Sequence, residues 1–86
     1  MTSTITTHFK GKLSSKAYLF SIKFLNFNTD QEISLGTLIV NSQSGQASIR
    51  LIPQKDIYLN KNFNLDELAK ECLDYVRQLE KTCIIF

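Results

Sequence analysis

The sequence predicts an α+β domain: a three- to four-stranded antiparallel sheet, connected as a meander, followed by one C-terminal amphipathic helix packed on one face. Three observations predict it. Runs of alternating apolar and polar residues fill residues 16–52 and are broken by short turn signals. A single apolar stripe with a period near 3.6 fills residues 65–83. The chain has 86 residues and is 43% hydrophobic, which supports one core and is too apolar for a disordered segment.

Residues 16–27 make the first strong strand. Tyr18, Phe20, Ile22 and Phe24 alternate with Leu19, Ser21 and Lys23, and the aromatic and β-branched types suit a pleated surface against a core. After Phe24 the phase changes, with Leu25 and Phe27 apolar around Asn26, so a bulge or a second buried face is expected. Asn28-Thr29-Asp30 is a turn. Residues 31–41 make the next strand. Strict alternation puts Ile33, Leu35, Thr37 and Ile39 on one face and Ser34, Gly36, Leu38 and Val40 on the other. Gly36 marks a bulge or a close backbone approach. Asn41-Ser42-Gln43-Ser44-Gly45 reads as a hairpin loop with Gly45 at positive φ. Residues 46–52 are the third strand, with Ala47, Ile49 and Leu51 opposite Ser48, Arg50 and Ile52, and Pro53 ends it. Ile57-Tyr58-Leu59 reads as a short edge strand and Asn60-Lys61-Asn62 as loop. Residues 1–13 are a threonine-rich arm, flexible or edge-pairing, ahead of a single domain over 14–86.

The helix carries its own start signal. Asn64 is the N-cap, Glu67 stands at N3, and Phe63 and Leu68 are spaced for a hydrophobic staple. Leu65, Leu68, Ala69, Cys72, Val76, Leu79 and Cys83 form the stripe. Asp66 and Glu67 in the first turn and Lys81 in the last complement the helix dipole.

The residue inventory narrows the function classes. A formal charge of +2 gives no bulk footprint for duplex DNA. No run approaches the roughly 18 apolar residues of a membrane span, and the N-terminus has no apolar signal core. The one histidine, His8, lies in the arm, away from any nucleophile that the pattern can place beside it. Asp66, Glu67, Glu71 and Asp74 sit on the polar helical face, where a carboxylate stays solvated. The three glycines are too scattered for a phosphate loop. Cys72 and Cys83 share one helix and lie about 16 Å apart along it, beyond the ~7 Å a disulfide allows. These features predict a non-enzymatic chain with no metal and no cofactor, in a reducing cytoplasm.

Three functional readings follow. In the first, Leu19, Leu25, Phe27, Leu38, Val40 and Ile52 form a second apolar sheet face that buries against a second copy or another protein, as in a small regulatory module or a subunit of a larger assembly. The competing expectation is a register shift near Leu25 that turns part of this set inward. In the second, Lys10, Lys12, Lys16 and Lys23, interleaved with Phe9, Tyr18, Phe20 and Phe24, bind a single nucleic-acid strand. Aromatics in the core and lysines guarding an edge strand are the preferred explanation of that pattern. In the third, Cys83-Ile84-Ile85-Phe86 is a prenylation box; a last strand or a tail folded on the core is preferred.

Overall fold

The computed structural model describes residues 3–59 and 63–83. The elements are β1 (Ser3–Lys12), β2 (Ala17–Asn26), β3 (Gln31–Asn41), β4 (Ala47–Leu51), α1 (Lys55–Tyr58) and α2 (Leu65–Cys83). The strands form one antiparallel sheet in the order β1-β2-β3-β4. α2 crosses one face and approaches β3 most closely. The fold is therefore an α+β meander with a C-terminal helix.

Two local features differ from the sequence expectations. Ile57 and Tyr58, expected in a short strand, belong to the single turn of α1, closed by Leu59 N–H donating to the Lys55 carbonyl at 2.9 Å. Ile57 is 75% exposed, so no neighbouring strand or core holds it extended. The loop expected at Asn60-Lys61-Asn62 lies outside the described residues. Residues 3–12, within the expected arm, form β1, paired with β2 from Ser3 opposite Asn26 to Lys12 opposite Tyr18.

The core follows from the β2–β3 register. Tyr18 faces Val40, Phe20 faces Leu38 and Ile22 faces Gly36; the next pair is Lys23 with Ser34. Leu35 is the extra residue of a bulge. One inserted residue inverts the phase of a strand. Ile33 before the bulge, Leu35 within it, and Leu38 and Val40 after it consequently all turn toward α2, where they meet Leu68, Cys72 and Val76. Leu35, Leu38 and Val40 are fully buried. Thr37 and Ile39, expected with Ile33 and Leu35, are on the far face instead. Each such Leu or Val contributes ~1.5–3 kcal/mol on burial.

Gly36 makes this bulge possible. It lies opposite Leu51 of β4 at φ +157°, and a Cβ there would stand 1.9 Å from the Arg50 carbonyl oxygen. Gly45 ends the β3–β4 loop at φ +79°, as its position predicted. The helix start is also as predicted: Asn64 Oδ1 accepts from the N–H groups of Asp66 at 2.9 Å and Glu67 at 3.3 Å. These bonds satisfy two of the orphan donors at the first turn.

Candidate protein interface

The expected six-residue apolar face does not exist as one surface. Leu38 and Val40 are in the core, moved there by the Leu35 bulge, and Ile52 packs part-buried against that core. Phe27 is 54% exposed in the β2–β3 turn. Only Leu19 and Leu25 remain on the sheet face away from α2, both half-buried, with Leu19 opposite Ile39. Apart from Ile39, their neighbours there are polar: Thr6, His8, Ser21, Lys23, Thr37, Ser48 and Arg50. Lys23 is tied to Glu32 at 3.0 Å, and that ammonium holds the Glu32 carboxyl below its ordinary pKa.

The unfinished surface lies instead along β1. This strand is the first of the sheet, and its outer edge faces no other strand among the described residues. Its pairing partners show that Ile5, Thr7 and Phe9 point to the α2 side, opposite Phe24, Ile22 and Phe20. Successive turns of α2 reach this side of β1 in the same chain direction, from beside Ile5 through Phe9 to Lys12. Ile5, Leu68, Phe63, Glu67 and Glu71 line a groove at one end. In the middle the rings of Phe9 and Tyr75 lie 5.8 Å apart, and Phe9 also meets Phe20 at 5.5 Å and Tyr18 at 6.2 Å. At the other end a groove of about 420 Å³ is lined by Phe9, Lys12, Lys16, Tyr18, Leu79 and Glu80. Phe9 is 39% exposed and Tyr75 50% exposed, so the aromatic row is only partly covered.

Glu80 anchors the basic end of this surface. Its Oε2 accepts from the Tyr18 hydroxyl at 2.6 Å and from the Ser42 hydroxyl at 2.7 Å, and lies 3.8 Å from the Lys16 ammonium. The two hydroxyl donors, aided by Lys16 and Lys12, hold the Glu80 carboxyl below the ordinary range. The same loop receives Arg77, whose Nε donates to the Ser42 carbonyl at 3.0 Å. The last turns of α2 are thus fastened to β2 and the β3–β4 loop. Nothing in sequence spacing announces these bonds, because their partners are 62, 38 and 35 residues apart.

The four lysines do not form one stripe. Lys12 stacks over Tyr18 at 5.8 Å and Lys16 lies beside Glu80, on the groove. Lys10 is the extra residue of a bulge between Phe9 and Gly11, and Lys23 is on the opposite sheet face with Glu32. His8 Nε2 is 3.3 Å from the Thr6 hydroxyl at an exposed position. Cys72 is buried beneath β1, and desolvation, together with the Glu71 charge, raises its thiol pKa against a smaller lowering from the Thr7 hydroxyl. The Cys83 side chain and Ile84-Ile85-Phe86, on which the prenylation reading rests, lie outside the described residues. Among the described residues, no three His, Cys, Asp or Glu side chains are grouped to hold a metal ion, and no helix is long and apolar enough to cross a membrane. In comparisons with known proteins the chain matches no family model, no curated protein and no solved structure.

Proposed function

We propose that the chain is a non-enzymatic protein-interaction module that takes its partner on the open edge of β1. One observation carries this: the stretch Thr4–Phe9 is an unbulged edge strand with three threonines and no Lys, Arg, Asp or Glu. An edge presents unpaired N–H and C=O groups, and sheets ordinarily guard them with charge, proline, a bulge or brevity. β4 has such guards: it is five residues long, bears Arg50, and is followed by Pro53. β1 is guarded only at its far end, by the Lys10 bulge and Lys12. An added strand supplies the missing main-chain bonds, and the grooves beside Ile5 and Phe9 select its side chains.

The test places a photo-cross-linking side chain at Thr6, on the edge, and separately at exposed Asp56 in α1, in the protein's native cells. A covalent adduct to a polypeptide from position 6 and none from position 56 is the expected result. No adduct at position 6, or the same adducts at both positions, overturns the reading.

A second reading uses the groove itself. Lys12 and Lys16 beside the exposed rings of Phe9 and Tyr75 offer stacking and charge to a single nucleic-acid strand. Glu80 lies among these lysines and offsets their charge, so the edge reading is preferred. The nucleic-acid reading requires binding of a mixed-sequence single strand that weakens steeply with salt; absence of binding at low salt removes it.

A further inference from the structure

We infer that the occupant of the β1 edge is a second copy of this chain, paired antiparallel about a two-fold axis through Thr7. The inference rests on the edge reading and names its partner. Its first support is the self-complementarity of the segment Ile5-Thr6-Thr7-His8-Phe9. With the axis at Thr7, Ile5 of each copy lies opposite Phe9 of the other, Thr6 opposite His8, and Thr7 opposite Thr7. These aromatic–aliphatic and Thr–Thr cross-strand pairs are among the favourable ones. Ile5, Thr7 and Phe9 all point to the α2 side, so an axis normal to the sheet keeps both helices on one face. Ile5 of one copy then covers the half-exposed ring of Phe9 in the other.

Charge excludes the registers centred near Lys10, and the Ile5–Phe9 pairing selects Thr7 among the rest. In this alignment Lys10 meets Thr4, and the two Lys10 side chains stand six residues apart along the ladder, about 20 Å at strand rise, beyond the ~8–10 Å screening length. Moving the axis to Lys10 would set the two Lys10 residues against each other, and moving it to Gly11 would oppose Lys10 with Lys12. The Lys10 bulge also breaks the regular phase of β1 just beyond Phe9, before pairing with β2 resumes at Gly11.

The grooves give an independent reason. The end of the β1–α2 groove beside Ile5 carries Glu67 and Glu71, and the end beside Phe9 carries Lys12 and Lys16, which keep a net positive charge after Glu80 between them is counted. An antiparallel two-fold brings the acidic end of each copy to the basic end of the other, twice. A parallel arrangement would place like ends together. The ladder is short, so the dimer dissociates on dilution.

The test is sedimentation velocity of the full chain over a wide concentration range, on wild type and two double variants. Thr6→Glu with His8→Glu sets carboxylates against each other across the axis; Thr6→Glu with His8→Lys sets opposite charges there. Both variants leave the Glu beside Lys23 of β2, and circular dichroism checks that each is folded. The expected result is a reversible dimer for wild type, at least a tenfold weaker one for the Glu/Glu variant, and recovery toward wild type for the Glu/Lys variant. Wild type that is monomeric throughout overturns the inference; so does a dimer that both variants keep, or both lose equally. A monomeric wild type that still gives the Thr6 cross-link to another protein leaves the edge reading standing and removes only the second copy as its occupant. A monomeric wild type with no such adduct removes both.

Discussion

Two residues set conditions on this fold out of proportion to their size. Gly36 allows the Leu35 bulge to pass under the Arg50 carbonyl, where any Cβ collides with main chain rather than with a movable side chain. Gly36→Ala is therefore expected to cost about 3 kcal/mol or more, because β3 and β4 must part to admit the methyl group. Urea denaturation measures it, and a change below the usual scatter of surface substitutions would show that the approach is slack. Glu80 sets a condition on pH. Its carboxyl is held below the ordinary value by Tyr18 and Ser42, so its contribution is fully present above the unfolded-state pKa and is lost as pH falls through the lowered folded value. Glu80→Gln is expected to lower the melting temperature at neutral pH, and the gap from wild type should close on acidification. A gap that stays constant into acid would mean that the charge is not what fastens α2. Neither role is visible in the sequence to the same degree. A glycine within a strand announces a bulge, whereas the partners of Glu80 come from distant turns of the chain.

At the level of elements, α2 was legible almost entirely, because all its signals are local: cap, staple, period and charge gradient lie within one continuous segment. Asn64→Ala is expected to cost about 1 kcal/mol through the two N–H groups it leaves unbonded, and thermal denaturation reads the loss directly. β3 was legible only up to its bulge. Alternation assigns faces correctly until a residue is inserted, and after that every assignment inverts. This is why Leu38 and Val40 read as surface and are core. Leu35, the inserted residue, is wholly enclosed, so Leu35→Ala is expected to cost about 2–5 kcal/mol despite its irregular position; a cost near zero would mean that the bulge relaxes to expel the cavity. The short strand expected at Ile57 failed for a different reason: a β-rich tripeptide without a neighbouring strand has no ladder to join.

At the level of the whole molecule, the meander and its covering helix could be read from the order of patterns, and the proposed interaction surface could not. Alternation points to surplus apolar residues as the partner-binding region, and the bulge takes Leu38 and Val40 out of that set. What faces no other strand among the described residues is the outer main chain of β1, and unpaired backbone leaves no mark in a hydropathy pattern. Its only trace in the sequence is negative, the lack of charge from Thr4 to Phe9 in a strand that turns out to be at an edge. The two sheet borders differ in a way that bears on how far association can go. Pairing through β1 turns the borders of the combined sheet into two copies of β4, each five residues long with Arg50 near its end and Pro53 just beyond. Neither border invites another strand. The inequality between the first and last strands therefore acts as a stop on growth: association by this route closes at two chains and offers no template from which a fibre could extend.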